Sequence, residues 1–239
     1  MGDLSPHKAF LPYNVNMPAR PSADASLASR LDQAYLKVDP AATVAALQVQ
    51  VELVRRLSLR SLCVPPLLAG TVKKHNPDIR VSTVIAYPLG LESASGKYFM
   101  IGELMEQGID EFDVVMDLFA IVNGNMPKLA AEADKLGGFC RRHGRMLKAI
   151  IETPILGELR IREVLAVLSD APVDCVKTST GYSREATKPE HVALIRSLLD
   201  DETLLKCSGG VRTREDAMRM ISAGADIIGT SSAEAILAG

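Results

Sequence analysis

The chain contains no tryptophan and few aromatic residues of any kind, which make up 4% of its 239 residues. It also lacks an excess of either charge, since the formal net charge at pH 7 is −2. Scarce aromatic side chains disfavour the stacking surfaces that bind single-stranded nucleic acid. A balanced charge disfavours a polyanion-binding surface or a basic membrane anchor. We therefore expect neither a nucleic-acid partner nor a membrane partner.

Long apolar runs are missing as well. No run of 18 apolar residues is present, and no early segment joins positive charge to an apolar block of the length used for export. The cysteines form no C-x-x-C pair, which favours reduced thiols over a disulfide framework or a zinc site. The four are Cys63, Cys140, Cys175 and Cys207. These features predict a cytoplasmic protein.

Metal and dinucleotide motifs are equally absent. The histidines are isolated and lack the spacing of metal ligands. They are His7, His75, His143 and His191. The glycine fingerprint G-x-G-x-x-G of dinucleotide-binding sheets does not occur, which disfavours the open doubly wound sheet. We expect no metal and no cofactor.

Alternating short apolar runs and helical patterns fill the chain after residue 27. Continuously apolar strands separated by helices are typical of parallel strands buried on both faces, and about 250 residues is the usual size of a (β/α)8 barrel. We predict an α/β fold, a single-domain TIM barrel over residues 28–239, preceded by an irregular, proline-punctuated arm at 1–27. The predicted strands are 33–38, 61–65, 81–87, 111–116, 146–152, 174–178, 204–208 and 226–230. The predicted helices are 43–57, 96–107, 126–143, 161–168, 189–198, 214–223 and a short one at 233–237.

Two lysines end apolar runs of successive predicted strands. Lys177 and Lys206 stand where a core side chain is expected, although an unpaired buried charge is costly. Two ammonium groups on neighbouring strands repel each other, and this repulsion favours the neutral amine in one of them. A neutral amine is what a Schiff-base nucleophile requires. The pair predicts an enzyme that attacks a carbonyl group with lysine.

Other polar residues fall at the same end of the predicted barrel, where reacting groups emerge. Asp32, Cys63, Asp113 and Lys148 are therefore site candidates beside the lysine pair. The loops after the last two strands, with glycines at 209–210 and hydroxyl residues at 230–232, predict a phosphate site near a helix N-terminus.

Motifs around these positions resemble those of the 2-deoxy-D-ribose-5-phosphate aldolase family, class I (Schiff-base) aldolases on a (β/α)8 barrel. The similarity covers residues 28–239 in order and is strongest in the last third. The later segments are L-K-A-I-I-E-T (147–153), V-K-T-S-T-G (176–181), S-G-G-V-R-T (208–213) and G-T-S-S (229–232). The earlier segments are L-D-Q-A-Y-L-K (31–37), L-C-V-P (62–65), Y-P-L-G (87–90) and D-E-F-D-V-V (110–115).

The resemblance implies a role for each site residue. Lys177 is expected to form the Schiff base, and Lys206 to favour the neutral form of its neighbour and to take part in proton transfer. Asp113 is expected to relay protons through water with Lys206, supported by Asp32 and Lys148. Phosphate contacts are expected from Gly181, Gly209, Gly210, Ser231 and Ser232, and pocket contacts from Cys63 and Thr180.

The activity implied is reversible cleavage of 2-deoxy-D-ribose 5-phosphate to D-glyceraldehyde 3-phosphate and acetaldehyde. The expected partners are thus a phosphosugar and an aldehyde, and relatives of this type commonly form dimers or tetramers. Three departures leave alternatives open: the sequence 33–35 after Asp32, the segment 117–119 where relatives have asparagine and small residues, and the charged loop 182–187 where relatives are often rich in glycine. These alternatives are a lysine aldolase for a longer or unphosphorylated aldehyde, and a non-catalytic phosphosugar-binding barrel.

Overall fold

The computed structural model describes residues 20–22, 24–37, 43–183 and 185–239. Most of the predicted arm, 1–19 and residue 23, lies outside these residues, so the arm stays a prediction. Eight parallel strands close into a barrel in the order β1 to β8, which confirms the predicted (β/α)8 fold. The strands are β1 Leu31–Ala34, β2 Ser61–Val64, β3 Val81–Ile85, β4 Glu111–Val115, β5 Met146–Ile150, β6 Cys175–Lys177, β7 Leu204–Ser208 and β8 Ile227–Thr230.

Helices cover the outside of the barrel. Their apolar faces pack against outward-facing strand residues such as Phe112, Leu147, Val176 and Leu205, all fully buried. Burying one such side chain stabilises the fold by about 1.5–3 kcal/mol. The helices are α1 Val44–Arg56, α2 Pro66–His75, α3 Ala94–Glu106, α4 Leu118–Val122, α5 Met126–Arg142, α6 Glu158–Asp170, α7 Pro189–Leu198, α8 Arg214–Ser222 and α9 Ala233–Ala238. Two single turns of 3-10 helix lie at Ala28–Arg30 and Thr153–Ile155.

Most predicted element boundaries are within three residues of the observed ones, and β7 and α7 coincide with their predictions. The prediction for the first strand was wrong in its bounds: β1 begins at Leu31 and ends at Ala34, and the Tyr35 amide after it donates to the Cys63 carbonyl at 2.8 Å. The predicted end of that strand, Val38, lies outside the described residues. Helices α2 and α4 were not predicted. Helix α2 follows Pro65 and has a proline in its first turn instead of a polar side-chain cap.

Strand alternation sorts the barrel interior into layers. The floor, at the N-terminal ends of the strands, is a small apolar cluster made of Met146, Cys175, Leu204 and Ile227. Two residues further along the strands, the next inward-facing positions are occupied by charged side chains. The register places Lys177 directly opposite Lys206 on adjacent strands, because both residues share one level of the β6–β7 ladder. The fold therefore brings the two predicted lysines together inside the barrel.

Within the described part of the chain, the helices are too short or too polar for one of them to span a membrane.

Candidate active site

Lys177 and Lys206 share one carboxylate oxygen. The Lys177 Nζ lies 2.7 Å from Asp113 Oδ2, and the Lys206 Nζ lies 2.8 Å from the same atom. The two amines are thus no farther apart than the sum of these distances. All three side chains are at most 4% exposed. Strand alternation explains the meeting, since Asp113 is the central residue of β4 and its side chain points into the barrel interior.

Lys148 enters the site from below. Its Nζ lies 2.8 Å from Asp113 Oδ1 and 2.6 Å from Glu111 Oε2, and it is fully buried. Glu111 and Asp113 alternate on β4 and so face the interior together. The sequence placed Lys148 and Asp113 at the strand ends with the other candidates. The structure corrects this, because both residues sit in the middle of their strands and neither lines the open cavity.

Asp32 completes the arrangement from β1. Its Oδ2 accepts a hydrogen bond from Lys206 Nζ at 2.6 Å, and its Oδ1 accepts from Ser61 Oγ at 2.6 Å and Arg60 Nη1 at 2.8 Å. Arg60 also donates to both carboxylate oxygens of Glu111, at 2.9 and 2.6 Å. Sequence reasoning did not assign roles to Arg60, Ser61 or Glu111. Of these three, Glu111 could have been found from the sequence, because it lies two residues before Asp113 and so faces the same side of the strand.

We call these seven residues the lysine–carboxylate cluster: Arg60, Lys148, Lys177, Lys206, Asp32, Glu111 and Asp113. Burial alone would disfavour each charge, but the opposite charges outweigh it. The neighbouring lysines hold the pKa of the buried Asp113 well below its usual range, and Arg60, Lys206 and Lys148 do the same for Asp32. Despite burial, Asp113 and Asp32 raise the pKa of Lys206 well above its usual range. Lys206 and both aspartates are therefore ionised near neutral pH.

The two lysines of the pair differ in the number of their ionic partners. Lys206 contacts two carboxylates, Asp32 and Asp113, and Lys148 contacts these two and Glu111. Lys177 contacts Asp113 and lies at the end of β6, beside open space. Among the three lysines, the charge of Lys177 is thus the one that the cluster stabilises least.

A cavity of about 420 Å³ opens above the cluster at the C-terminal ends of the strands. Lys177, Lys206, Asp32 and Cys63 form its floor. Burial raises the pKa of the Cys63 thiol, with a further contribution from Asp113, so this residue is a neutral wall of the cavity. Thr180, predicted as a pocket residue, lines the cavity as well.

Glycine-rich loops form the opposite side of the cavity. Gly209 and Gly210 have φ angles of +95° and +86°, a conformation that L side chains rarely adopt, and Gly181 lies next to them at +75°. A Cβ on Gly210 would lie 2.5 Å from Ala186 Cβ, so the close approach of the two loops requires glycine. These three glycines and Ser231, the residues expected to contact phosphate, line the cavity. Ser232 lies beside it, and its amide is bonded to Thr230 Oγ1 at 3.0 Å.

Gly229 contributes to the site through its lack of a side chain. A Cβ there would lie 2.2 Å from Ser208 Oγ and 3.0 Å from Lys206 Cε. A glycine inside a strand marks such close approaches. Gly229 thus makes room for the stem of Lys206 to reach Asp113.

Two tyrosines stand at the rim. The ring centroids of Tyr87 and Tyr182 are 6.5 Å apart, in an edge-to-face arrangement. Tyr182 follows Gly181 and is largely exposed. Among the described residues, no cluster of three or more histidine, cysteine, aspartate or glutamate side chains has the geometry of a metal site.

Comparisons with known proteins agree with the geometry. No protein-family model matches the chain. The chain is 38% identical over 221 residues to the deoxyribose-phosphate aldolase of Micrococcus luteus, covering 89% of this chain and 96% of that protein. It is 36% identical over 214 residues to the deoxyribose-phosphate aldolase of Caldicellulosiruptor saccharolyticus, covering 88% and 96% respectively.

Solved structures give the same result. The aldolase QR15 superposes with a TM-score of 0.82 at 32% identity, covering 88% of this chain and 93% of that one. The deoxyribose phosphate aldolase of Aeropyrum pernix, described as having a unique tetrameric structure, superposes with a TM-score of 0.81 at 29% identity, covering 89% of both chains. The similarity in sequence and structure thus extends over nearly the whole barrel, and the chain belongs to the deoxyribose-phosphate aldolase family.

Proposed function

We propose that this protein is a class I aldolase that reversibly cleaves 2-deoxy-D-ribose 5-phosphate to D-glyceraldehyde 3-phosphate and acetaldehyde. The observation that carries the proposal is the pair of lysines on one carboxylate oxygen, at the floor of an open cavity. A single buried lysine would be an ordinary ion-pair partner. Two lysines sharing Asp113 supply a nucleophile and a proton donor at one point.

The reaction begins with attack of the neutral Lys177 amine on the aldehyde carbon of the open-chain sugar. Lys206 is held as an ammonium ion by Asp32 and Asp113, and its positive charge disfavours a second charge on Lys177. The carbinolamine loses its hydroxyl group as water, which takes up a proton from the Lys206–Asp113 relay. The product is an iminium ion on Lys177.

Cleavage uses the iminium as an electron sink. A base removes the proton of the C3 hydroxyl, the C2–C3 bond breaks, and its electron pair forms the enamine of Lys177. D-glyceraldehyde 3-phosphate leaves as the aldehyde. Protonation of the enamine at C2 and addition of water then release acetaldehyde and the free amine. We assign the proton transfers to Asp113 and Lys206, acting through water, because both lie against Lys177.

The phosphate group is expected at the glycine-rich side of the cavity. Backbone N–H groups of turns with positive φ form concave sites for anions. Gly181, Gly209 and Gly210 provide such turns, and Ser231 adds a hydroxyl group. Ser232 is the next residue in the chain and does not itself line the cavity.

Trapping of the Schiff base tests the proposal. Reduction with borohydride in the presence of acetaldehyde should add two carbons to Lys177, located by mass spectrometry of its peptide. Lys177→Met should lose both the adduct and turnover, because the nucleophile is gone. Lys135→Met is a matched control on the surface, where Lys135 contacts Ser95 and the Tyr98 ring. An adduct that persists on another lysine in an active Lys177→Met enzyme would refute the assignment.

The rim tyrosines favour one alternative, a lysine aldolase with a longer or unphosphorylated aldehyde substrate. Tyr182 directly follows Gly181, where the phosphate is expected, and its ring packs edge-to-face against the cavity residue Tyr87. Comparing turnover of deoxyribose 5-phosphate, deoxyribose and dihydroxyacetone phosphate distinguishes these substrates. A non-catalytic phosphosugar-binding barrel would instead show stabilisation by the sugar phosphate without any trapped adduct.

We also propose that the chain forms a homo-oligomer, a dimer or a tetramer. The Aeropyrum pernix relative is described as tetrameric. Exposed apolar side chains are numerous on the elements that follow β2 to β5, and such surfaces mark interaction sites. They include Leu67, Leu89, Leu91, Phe99, Phe119, Val122, Ile155 and Leu159. Light scattering should give a mass above the 25.7 kDa of one chain, and a monomer at all concentrations would contradict the proposal.

We propose a cytoplasmic location because the cysteines are reduced. All four are buried free thiols, and burial raises the pKa of Cys175 and Cys207 to about 12. Such thiols persist in a reducing compartment. Cell fractionation followed by the aldolase assay would test the location.

A further inference from the structure

Arg60 is buried in the cluster but touches no part of the cavity. It stands immediately before β2, its side chain is 7% exposed, and it is absent from the cavity lining. Its guanidinium group bridges two carboxylates, Asp32 on one side and Glu111 on the other. Substrate in the cavity cannot reach it, so any effect of Arg60 on the reaction must pass through the cluster.

The charges of the cluster do not balance. Four cationic side chains, Arg60 and the three lysines, face three carboxylates. A buried excess charge is unfavourable, and loss of one proton removes it. A guanidinium does not lose a proton in proteins, and Lys148 and Lys206 each contact at least two carboxylates. Lys177 contacts one carboxylate and lies beside the open cavity, so it has the fewest ionic partners of the three lysines.

We propose that Arg60 is a positioning residue for the aldol reaction, because it supplies the buried positive charge that makes Lys177 the neutral amine. This inference rests on the proposed function, in which Lys177 is the nucleophile. Without Arg60, three cations would face three carboxylates, and Lys177 could keep its proton at no electrostatic disadvantage.

Arg60 also orients Asp32. Together with the Ser61 hydroxyl, it occupies Oδ1 of this carboxylate, at 2.8 and 2.6 Å respectively. The other oxygen, Oδ2, is thereby directed to Lys206 at 2.6 Å. Arg60 thus helps to keep Lys206 charged beside Lys177.

Other titratable groups near Lys177 do not alter the charge balance of the lysine–carboxylate cluster. The Glu152 carboxylate is bonded to the Ser179 hydroxyl and the Thr180 amide, both at 2.8 Å, and forms no ion pair with the cluster. Arg80 reaches Glu111 at 3.5 Å from a side chain that is 41% exposed, where solvent screens its charge. The Cys63 and Cys175 thiols and the Tyr87 hydroxyl also lie near the cluster or the cavity, and their pKa values are raised, so they are neutral near pH 7.

A double-mutant cycle that removes charges tests the inference through the pH dependence of kcat/KM. Arg60→Met should move the acid limb of the profile up by about one pH unit, the effect expected for unit charges roughly 10 Å apart at an effective dielectric of about 20. Glu111→Gln should move it down, because the excess positive charge grows. The double variant Arg60→Met/Glu111→Gln restores one excess cation and should return the limb close to the wild-type position.

Two further variants separate the effect of the Arg60 charge from the effect of its shape and of other cations near Glu111. Arg60→Lys keeps the positive charge and should keep the wild-type profile within a few tenths of a pH unit. Arg80→Met removes a cation that contacts the same Glu111 from solvent, and it should leave the profile unchanged. Thermal unfolding of each variant establishes that the measured enzyme is folded. If Arg60→Met does not fold, the double variant and Glu111→Gln still carry the test.

The outcomes are distinct. Opposite shifts in the two single variants and their cancellation in the double variant support the role of Arg60. Coincident acid limbs in all variants, with Lys177 still trapped by borohydride and acetaldehyde, would overturn this inference and leave the proposed function standing. Absence of a Lys177 adduct in the wild-type protein would instead refute the proposed function.

Discussion

Two buried lysine–carboxylate sites exist in the described part of this molecule, one inside the barrel and one outside it. Outside, Lys97 on α3 is fully buried and lies 2.7 Å from Glu132 Oε1 on α5 and 2.7 Å from the Val115 carbonyl. The second carboxylate oxygen of Glu132 accepts the Asp117 amide at 2.7 Å. One cation thus meets one anion, and backbone groups complete their hydrogen bonds.

Inside the barrel, the same residue types are arranged differently. Lys177 and Lys206 compete for one oxygen of Asp113, cations outnumber carboxylates, and the cavity gives Lys177 access to a ligand. Burial and ion pairing are common to both sites. A reactive lysine is therefore marked by crowding of like charges next to an opening, and a structural lysine by a closed one-to-one pair.

The largest expected effect is that of Lys206→Met inside the barrel. It should lower kcat about 10²–10⁴-fold near neutral pH, the usual contribution of a positioned acid–base group. It also removes the excess cation, so the remaining activity should rise toward alkaline pH. Steady-state assays over a pH series measure both effects. An activity within tenfold of the wild type, with an unchanged profile, would contradict the role of Lys206.

Lys97→Met outside the barrel should affect a different property. Glu132 would be left as a buried charge without its cation, which costs about 3–5 kcal/mol in the free energy of unfolding. The activity per folded molecule should stay within about twofold of the wild type, since Lys97 lies outside the cavity lining. Urea unfolding and an assay on the folded fraction separate the two quantities. A selective loss of kcat with intact stability would place Lys97 in the mechanism.

The smallest expected effect is on the stability of the folded protein at acidic pH. The pKa values of Asp32 and Asp113 are held well below their usual range in the folded protein, against about 3.9 in an unfolded chain. The stability that they contribute is therefore present above about pH 4 and is lost as pH falls through the folded values. Asp32→Asn should make the loss of stability below about pH 4 shallower. Urea unfolding at several acidic pH values checks this, and identical slopes for both proteins would contradict the shifted pKa.

Much of this architecture could be predicted from local patterns. Strand β7 and helix α7 were predicted with their observed bounds, because continuous apolar runs and Pro189 mark their limits. The pairing of Lys177 with Lys206 followed from their positions on successive strands. Helix α2 was missed because it begins at a proline without a polar cap, and α4 because it has five residues.

The partners of the lysines could not be predicted in the same way. Arg60 before β2 meets Glu111 on β4, 51 positions away in the chain, and this contact depends on the register of strands that the sequence alone does not fix. Lys97 was missed for a related reason, since its helical pattern does not show that Glu132 lies opposite. Local periodicity predicts the direction of a side chain, and the fold decides which charges meet.

The most direct test is the pH dependence of Schiff-base formation on Lys177 itself. Trapping of acetaldehyde with cyanoborohydride, followed at the Lys177 peptide by mass spectrometry, should reach its full rate near neutral pH in the wild type. In Lys206→Met the full rate should be reached only under alkaline conditions, whereas in Lys135→Met it should match the wild type. If the rate at Lys177 keeps rising to alkaline pH in the wild type and Lys206→Met does not change it, the charge excess is not what frees this amine.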